Sequence, residues 1–557
     1  MKFCTTIVYS FLFAFIPFVL YSQNFTTSNL PIIIIDTHGQ AIVDDPKIIA
    51  DMGIIDNGPG TINKITDNWN NYNGKIGIEI RGSSSQMYPK KSYGFETRNT
   101  SDTDKNQDVS LLGLPAENDW ILYAPYSDKS MLRDVIAYHL SQRMGWYASR
   151  FRYCELVIDG EYKGVYILLE KIKRNANRVN ISKLKSTDNT GDNVTGGYIL
   201  KIDKATGTVG GSFDSQYQPN LPSDTNQARK ITFLYEYPQK HNPPKDDDIT
   251  QQQEQYIQGF INAFESSLKS SLFADSTRGG YRKYINTASF IDYFLLTETV
   301  FNVDGYRIST FMYKNKDSKG GLLNMGPVWD YNISQGNADY YNGNRTDQWA
   351  YQMNASFPGD YSLVPFWWER LLEDTRYRDE AKCRWIILRK EAFHTDSLMH
   401  FIDSLATMLQ EPQNRNYQKW PILKEYVWPN AVIPGSYQGE VDYLKTWLAT
   451  RLAWLDYTIP GVCDALAIEQ ENKSGQVHLY PNPSSGDVYI QLDHINENVP
   501  VVAEVYNMLG QKITSHSFKS ANTPELLSAS QLPSGILLIK LYVKEVLIST
   551  QKVVKSN

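Results

Sequence analysis

The sequence has few cysteines, little excess charge and, beyond its N-terminus, no long apolar run. Only 4 of its 557 residues are cysteine, which excludes a disulfide framework and a cysteine-rich zinc site. Lysine and arginine number 55 against 61 acidic residues, so the net charge is −6, which argues against nucleic acid as the main partner. No later stretch of about 18 apolar residues follows, so no transmembrane segment is expected after removal of the N-terminal leader.

The N-terminus has the pattern of a secretory signal peptide. A short basic start precedes an apolar stretch from Ile7 to Leu20, and Tyr21–Gln23 offers a cleavage point. We therefore predict a signal peptide over residues 1–22. One pair of the remaining cysteines could form a disulfide bond in an oxidising compartment. These cysteines are Cys154, Cys383 and Cys463.

The stretch Asn302–Asn337 predicts a β-hairpin with an aspartate just outside each arm. Tyr306–Lys314 is rich in β-branched and aromatic residues, which is typical of a strand. Asn315–Gly321 has the Asp, Ser and Gly content of a turn, and Leu322–Trp329 returns as a second apolar run.

Asp304 and Asp330 lie at equal distances from the centre of that turn, at Asp317. Equidistant residues of an antiparallel pair face each other about 5 Å apart, so the spacing predicts two carboxylates at one end of the hairpin. Asn302 and Asn332 lie beside them. Such oxygen ligands suit Mg²⁺ or Mn²⁺, or a carboxylate base next to a metal ligand. The alternative is two turn-capping aspartates that flank an ordinary hairpin.

A second hairpin has a small polar loop that could hold a phosphate. Lys75–Arg81 alternates with period two, Gly82–Gln86 forms the loop, and the chain returns from Lys90 to Glu96. Backbone N–H groups of such a loop, with Arg81 and Lys91 nearby, can bind a phosphate. The alternative is a solvated serine loop with a surface lysine pair.

Two further strand regions carry candidate charges. An Asp159-Gly160 pair between apolar runs predicts a tight hairpin turn, and Glu170 ends the second arm of that hairpin. Glu170 could orient a phosphate-binding lysine, or it could pair on the surface. In the strand GGYILKID, alternation places Lys201 and Asp203 on the same face.

A helix is predicted to begin after Ser127 or Asp128 and to end at Gly145. Arg133 and Asp134 lie in its first turns. Charges in such positions are usually solvated, and we expect these two to be solvated as well.

Six sequence blocks between residues 75 and 340 resemble the CotH kinase family, whose members are similar to spore coat protein H. The resemblance implies an α+β, atypical protein-kinase-like domain of two lobes over residues 75–460, preceded by a strand and loop region at 24–74. The blocks are KIGIEIRGSSSQMYPKKSYGFET, WILYAPYSDKSMLRD, ELVIDGEYKGVYILLEKIKR, GGYILKID, FIDYFLLTE..FNVDGYRISTFMYK and MGPVWDYNISQGN.

The same resemblance implies an ATP-dependent and Mg²⁺- or Mn²⁺-dependent kinase that phosphorylates Ser or Thr. Asp304 would be the catalytic aspartate, and Asp330, assisted by Asn332, would hold the metal. Arg81 and Lys91 would face the phosphates, and Glu170 would orient a lysine.

The chain departs from the family pattern at two positions. Many members carry a second acid where this chain has Asn332, and others have Asn where this chain has Ser309. One carboxylate fewer weakens a site for a hard cation.

The C-terminal region changes to short alternating strands, which predicts a small all-β sandwich at residues 476–557 after a linker at 461–475. Its segments LYPNPSSGDVYI, VYNMLGQKI, LPSGILLIKLYVKE and TQKVVK resemble the type IX secretion sorting domain of Bacteroidota-like bacteria. The resemblance implies recognition by the type IX secretion machinery and a secreted or cell-surface location.

Two functions from different classes follow from these observations. The preferred one is an exported kinase that phosphorylates a secreted or surface protein, or itself. The alternative is a kinase-fold surface protein, weakly active or inactive, that serves in adhesion or assembly. A carbohydrate-associated surface protein is a third possibility, and it is based only on the abundance of Trp and Tyr.

Overall fold

The computed structural model describes residues 25–204, 210–222, 229–463, 477–492, 499–507, 511–519, 523–528, 532–543 and 546–556. The predicted signal peptide, and the predicted linker from residue 464 onwards, lie outside the described residues. The chain divides into two compact units between Val462 and Cys463. Each unit is described by itself.

A closed β-barrel occupies the first part of the N-terminal unit. Residues 25–170, described without a gap, form the strands β1 (Thr27–Ser28), β2 (Ile32–Asp36), β3 (Ile48–Ile55), β4 (Asn63–Lys64), β5 (Tyr72–Arg81), β6 (Ser92–Arg98), β7 (Asp119–Tyr123), β8 (Phe151–Ile158) and β9 (Glu161–Glu170). The barrel order is β2-β3-β5-β6-β7-β9-β8, and β1 pairs with β4. The boundary predicted at residue 75 lies within β5.

Side chains alternate between the two faces of each barrel strand, and this alternation explains how the strands pack. Ile33, Ile35, Ile76 and Ile78 are fully buried in one apolar cluster, as a period of two predicts. The predicted β8–β9 hairpin is confirmed, because Ile158 pairs with Glu161 across the two-residue turn. Asp159 and Gly160 have φ angles of 50° and 74°, the left-handed geometry that such turns require.

A second, antiparallel sheet and a set of helices complete this unit. The sheet contains β10 (Tyr198–Ile202), β11 (Ser212–Asp214), β12 (Thr232–Tyr237), β13 (Thr310–Lys314) and β14 (Leu323–Met325), in the order β11-β12-β10-β13-β14. The helices are α1 (Arg133–Arg143), α2 (Gly191–Val194), α3 (Gln251–Lys269), α4 (Thr287–Val300), α5 (Met353–Ser356), α6 (Trp367–Glu373), α7 (Thr375–Lys390), α8 (Thr395–Leu409), α9 (Pro412–Lys419) and α10 (Tyr437–Thr458).

The hairpin predicted at residues 302–337 exists, but its predicted register is wrong. Met312 pairs with Met325, and extending this register places Asp304 opposite Ile333 instead of Asp330. The first arm begins at Thr310 and not at Tyr306, because Tyr306 and Ser309 adopt φ angles of 70° and 49°, which no strand tolerates.

The expectation of solvated charges at the start of α1 is wrong. Arg133 and Asp134 are 1% and 4% exposed. The Arg133 guanidinium pairs with Asp128, whose carboxylate also accepts the Arg133 backbone N–H. Asp134 accepts a hydrogen bond from the backbone of Tyr331. The buried Arg133 therefore has a charged partner, and the buried carboxyl of Asp134 accepts a hydrogen bond, as buried polar groups generally do.

The C-terminal unit is rich in strands, as predicted. Its described parts form β15 (Val477–Tyr480), β16 (Val488–Leu492), β17 (Pro500–Asn507), β18 (Lys512–Lys519), β19 (Glu525–Leu527), β20 (Gly535–Val543) and β21 (Val546–Lys555). They pair in two sheets, β15-β16-β19 and β18-β17-β20-β21, which share one apolar core. The mixed α and β content of the whole chain is confirmed, and the two-lobed, kinase-like arrangement stays a prediction.

The three cysteines that follow the predicted signal peptide are of two kinds. Cys383 and Cys463 are each disulfide-bonded. Cys154 is a free thiol, and it is fully buried in the barrel core. Burial raises the pKa of this thiol above its usual range, so Cys154 is not a reactive nucleophile.

Candidate functional site

A cavity of about 950 Å³ lies in the N-terminal unit, and both aspartates of the predicted hairpin line it. Residues from the barrel, from α1, from the end of β10 and from both hairpin flanks contribute to its walls. The polar and charged residues among them include Arg81, Ser83, Ser84, Asp134, Lys201, Asp203, Lys204, Asp304, Arg307, Asp330 and Asn332. Carboxylates and cations therefore face one shared space.

Asp304 is positioned by the turn that follows α4. The helix ends at Phe301, whose left-handed backbone reverses the chain. The Asn302 side chain then accepts the Asp304 backbone N–H at 3.1 Å. Arg307 lies 3.5 Å from the Asp304 carboxylate and pairs more closely with Asp360. Burial raises the pKa of the Asp304 carboxyl, and Arg307 opposes this effect.

Asp330 has an unusual backbone, with a φ of 63° in the left-handed region. Its N–H donates to the Tyr138 hydroxyl at 3.3 Å. Its carbonyl accepts from the Asn302 side chain at 3.4 Å. Asn302 therefore ties the segment of Asp304 to that of Asp330. Burial, followed by repulsion from Asp304 and Asp203, raises the pKa of Asp330 to about 6.

The residues around Asp330 contain both a buried acid and an unpartnered acceptor. The Asn332 Oδ1 atom is buried and has no hydrogen-bond partner. Asp134 Oδ1 accepts the Tyr331 N–H at 2.6 Å and the Tyr138 hydroxyl at 3.3 Å. Burial, together with repulsion from Asp330, raises the pKa of Asp134 to about 8. The site thus holds a group of oxygen atoms that are short of positive charge.

Cations occupy the wall beside these acids. The Arg81 guanidinium lies 5.6 Å from the centre of the Trp329 ring, and this ring stacks on Tyr138 at 6.0 Å. Burial lowers the pKa of Arg81 from its ordinary value, opposed by nearby carboxylates that include Asp330. Lys201 lies 3.9 Å from Asp203, which confirms that they share a face.

The glycine-serine loop after β5 lies at the edge of the cavity. Gly82 has a φ of 119°, and a Cβ atom there would lie 2.2 Å from the Ser85 hydroxyl, so the loop requires glycine. The Ser84 hydroxyl accepts a hydrogen bond from Lys204 at 3.2 Å. The loop is therefore held close to a cation that also interacts with Asp304 and Asp330.

Two predicted site residues are not among those that line the cavity. The Lys91 ammonium donates to the Gln86 carbonyl at 2.5 Å, so it contacts the loop instead. Glu170 is fully buried, which rules out the surface alternative. Its carboxylate pairs with Arg150 at 2.7 Å and also accepts from Tyr147.

Sequence reasoning did not propose Asp134, Tyr138 or Lys204 as site residues. Asp134 and Tyr138 are one helical turn apart, so they share a face of α1, and this spacing was the available signal. Nothing local to α1 indicates that this face contacts residues 330 and 331. That contact spans nearly 200 residues of sequence.

The cavity offers few metal ligands, but they are of the kind that binds a hard divalent cation. Within the described residues, no group of three or more His, Cys, Asp or Glu side chains is placed to hold a metal ion. Asp330 and the unpartnered Asn332 Oδ1 nevertheless offer hard oxygen donors of the kind that Mg²⁺ and Mn²⁺ prefer.

Comparisons with known proteins match two parts of the chain. A family described as CotH kinase protein matches residues 78–455, and a family described as secretion system C-terminal sorting domain matches residues 478–556. No curated protein matches the chain. The second match indicates contact with the type IX secretion machinery and delivery to the cell surface or extracellular space.

In the part of the chain that the structure describes, no helix is long and apolar enough to cross a membrane.

Proposed function

The chain belongs to the CotH kinase protein family, and from this premise we propose that it transfers the γ-phosphate of ATP to a Ser or Thr hydroxyl with the help of Mg²⁺ or Mn²⁺. The acceptor would be a secreted or surface protein, or the chain itself, because the sorting domain directs this protein out of the cell.

One observation carries the proposal: Asp304 and Asp330 line the same cavity although their hairpin register does not pair them. A volume of about 950 Å³ accommodates a nucleotide, since small-molecule sites typically measure about 300–1,000 Å³. Protein kinases use two separately positioned carboxylates, one for the cation and one for the acceptor hydroxyl.

The cationic wall suits the phosphates of the nucleotide. Arg81 presents a planar guanidinium, which binds phosphate oxygens with two parallel hydrogen bonds. Lys204 and the loop Gly82–Ser85 lie at the same side of the cavity. Lys91 would act indirectly, because its ammonium fixes the loop through Gln86. Glu170 lies outside this wall and receives no role in the proposal.

Asp330 and Asn332 would hold the divalent cation. The raised pKa of Asp330 reflects burial beside other carboxylates, and a bound cation would relieve that repulsion. The Asn332 Oδ1 atom, buried without a partner, would gain one. When bound, the cation supplies charge stabilisation for the phosphate oxygens.

Asp304 would receive the acceptor proton. The hydroxyl oxygen forms a bond to the γ-phosphorus while the bond between that phosphorus and the bridging oxygen of ADP breaks. The hydroxyl proton passes to the Asp304 carboxylate. Burial raises the pKa of Asp304, which strengthens it as a base, and Arg307 stabilises the ionised form that the step requires.

Incubation of the purified protein with γ-labelled ATP, Mg²⁺ or Mn²⁺, and a mixture of surface proteins tests the proposal. We expect label transfer that is lost in Asp304→Asn and in Asp330→Ala, and retained in Asp347→Asn, a change at an exposed ion pair. A parent protein that transfers no label, and whose melting temperature is unchanged by ATP with Mg²⁺, would contradict the proposal and favour the alternative role in surface adhesion or assembly.

A further inference from the structure

The helix α1 places a carboxylate in the cavity, and this carboxylate does not belong to the hairpin sequence. Asp134 is 4% exposed and is among the residues that line the cavity. It reaches the site from a helix that is distant in sequence from residues 330–332.

We propose that Asp134 is the second carboxylate of the divalent-cation site, beside Asp330 and Asn332; this inference depends on the proposed function. A hard cation binds more tightly as the number of charged oxygen ligands increases. The segment 330–332 supplies only one carboxylate, because position 332 is Asn, and Asp134, which accepts the N–H of Tyr331 within that segment, supplies the other.

Hydrogen bonds place Asp134 next to both hairpin donors. Its Oδ1 atom accepts the N–H of Tyr331, the residue between Asp330 and Asn332, at 2.6 Å. The Tyr138 hydroxyl bridges the same two segments, since it donates to Asp134 Oδ1 and accepts the Asp330 N–H, each at 3.3 Å.

The charges and the hydrogen-bonding groups at this point both suit a bound cation. Asp134 and Asp330 line the same cavity, and burying two carboxylates side by side is costly unless a cation or a proton neutralises them. Independently of the acids, the Asn332 Oδ1 atom is buried there without a donor. Its partner would be the same ion.

A purely structural role for Asp134 is the competing explanation. In that case the carboxyl serves only to accept the N–H of Tyr331 and the hydroxyl of Tyr138. Asparagine would serve equally well, because its side-chain oxygen accepts the same two hydrogen bonds. The two explanations therefore differ in whether the charge of Asp134 matters.

The probe is Mn²⁺ alone, added to the full-length protein. Free Mn²⁺ gives an electron paramagnetic resonance signal, and the decrease of this signal measures how much Mn²⁺ is bound. We expect Asp134→Asn to weaken Mn²⁺ affinity by on the order of tenfold or more, the scale known for lost metal-site partners. Asp330→Asn should weaken it at least as much. Glu265→Gln is the matched control, because Glu265 is a buried carboxyl on α3 that does not line the cavity.

The outcomes separate the inference from the proposed function. If Asp134→Asn binds Mn²⁺ as tightly as the parent protein while Asp330→Asn loses affinity, the proposed role of Asp134 is wrong. The kinase proposal is unaffected by that result. A parent protein that binds no Mn²⁺ overturns both. Asp134→Ala, which removes the hydrogen bonds as well, should bind Mn²⁺ no better than Asp134→Asn, and unfolding of each variant by urea shows which of them remain folded.

Discussion

Replacing Asn302 with alanine should separate the two aspartates while leaving the rest of the fold in place. Asn302 is 2% exposed, and its amide contacts the Asp304 N–H at 3.1 Å and the Asp330 carbonyl at 3.4 Å. Each buried polar group that loses its partner costs about 1–3 kcal/mol. Because the second contact is long, we expect Asn302→Ala to lower the free energy of unfolding by about 2–4 kcal/mol, measured by urea denaturation.

Asn354→Ala provides the matched control for this prediction. Asn354 is also buried, at 4% exposure, and it bonds the N–H and the carbonyl of Val364 at 2.9 and 2.8 Å. It does not line the cavity. Both variants should lose similar stability, but only Asn302→Ala should lose Mn²⁺ affinity at a temperature where both are folded. Parental Mn²⁺ affinity in Asn302→Ala would refute the claim that this amide holds the two aspartates together.

Three further predictions concern a buried acid, a buried ion pair and the glycine loop. Burial raises the pKa of Glu265 to about 7 from an ordinary 4.5, so the unfolded chain ionises first and the free energy of unfolding falls as pH rises from about 4.5 to about 7. Glu265→Gln should avoid this loss of about 3 kcal/mol, measured by urea unfolding at each pH. Glu298→Gln leaves fully buried Arg451 without its carboxylate, which should cost about 3–5 kcal/mol by the same assay. Gly82→Ala should weaken nucleotide binding in calorimetry, because a φ of 119° strains any residue with a Cβ and this Cβ would lie 2.2 Å from the Ser85 hydroxyl, which displaces the loop.

Local chemistry determined the elements that the sequence predicted correctly. The Asp159-Gly160 turn and the alternating strand β5 each depend on residues close to one another in the chain. Each of these predictions needs only a periodicity or a turn preference.

Long-range contacts determined what the sequence did not predict. The aspartates meet because Tyr306, Ser309 and Asp330 adopt left-handed backbones, and non-glycine residues in that conformation have no clear sequence signal. Asp134 looked solvated because its partner, the Tyr331 N–H, is far away in the chain. The sequence therefore predicted that Asp304 and Asp330 lie near each other, but it did not predict the backbone geometry that brings them to one cavity.

Crystals of the protein grown with ADP and Mn²⁺ offer the most direct test that Asp304 and Asp330 serve one nucleotide site. The anomalous signal of manganese would locate the ion without reference to the other atoms. The account predicts one manganese peak within about 2.0–2.6 Å of an Asp330 carboxylate oxygen, with the diphosphate beside Arg81 and Asp304 facing the same cavity. Manganese bound away from Asp330, or a nucleotide bound outside this cavity, would contradict it.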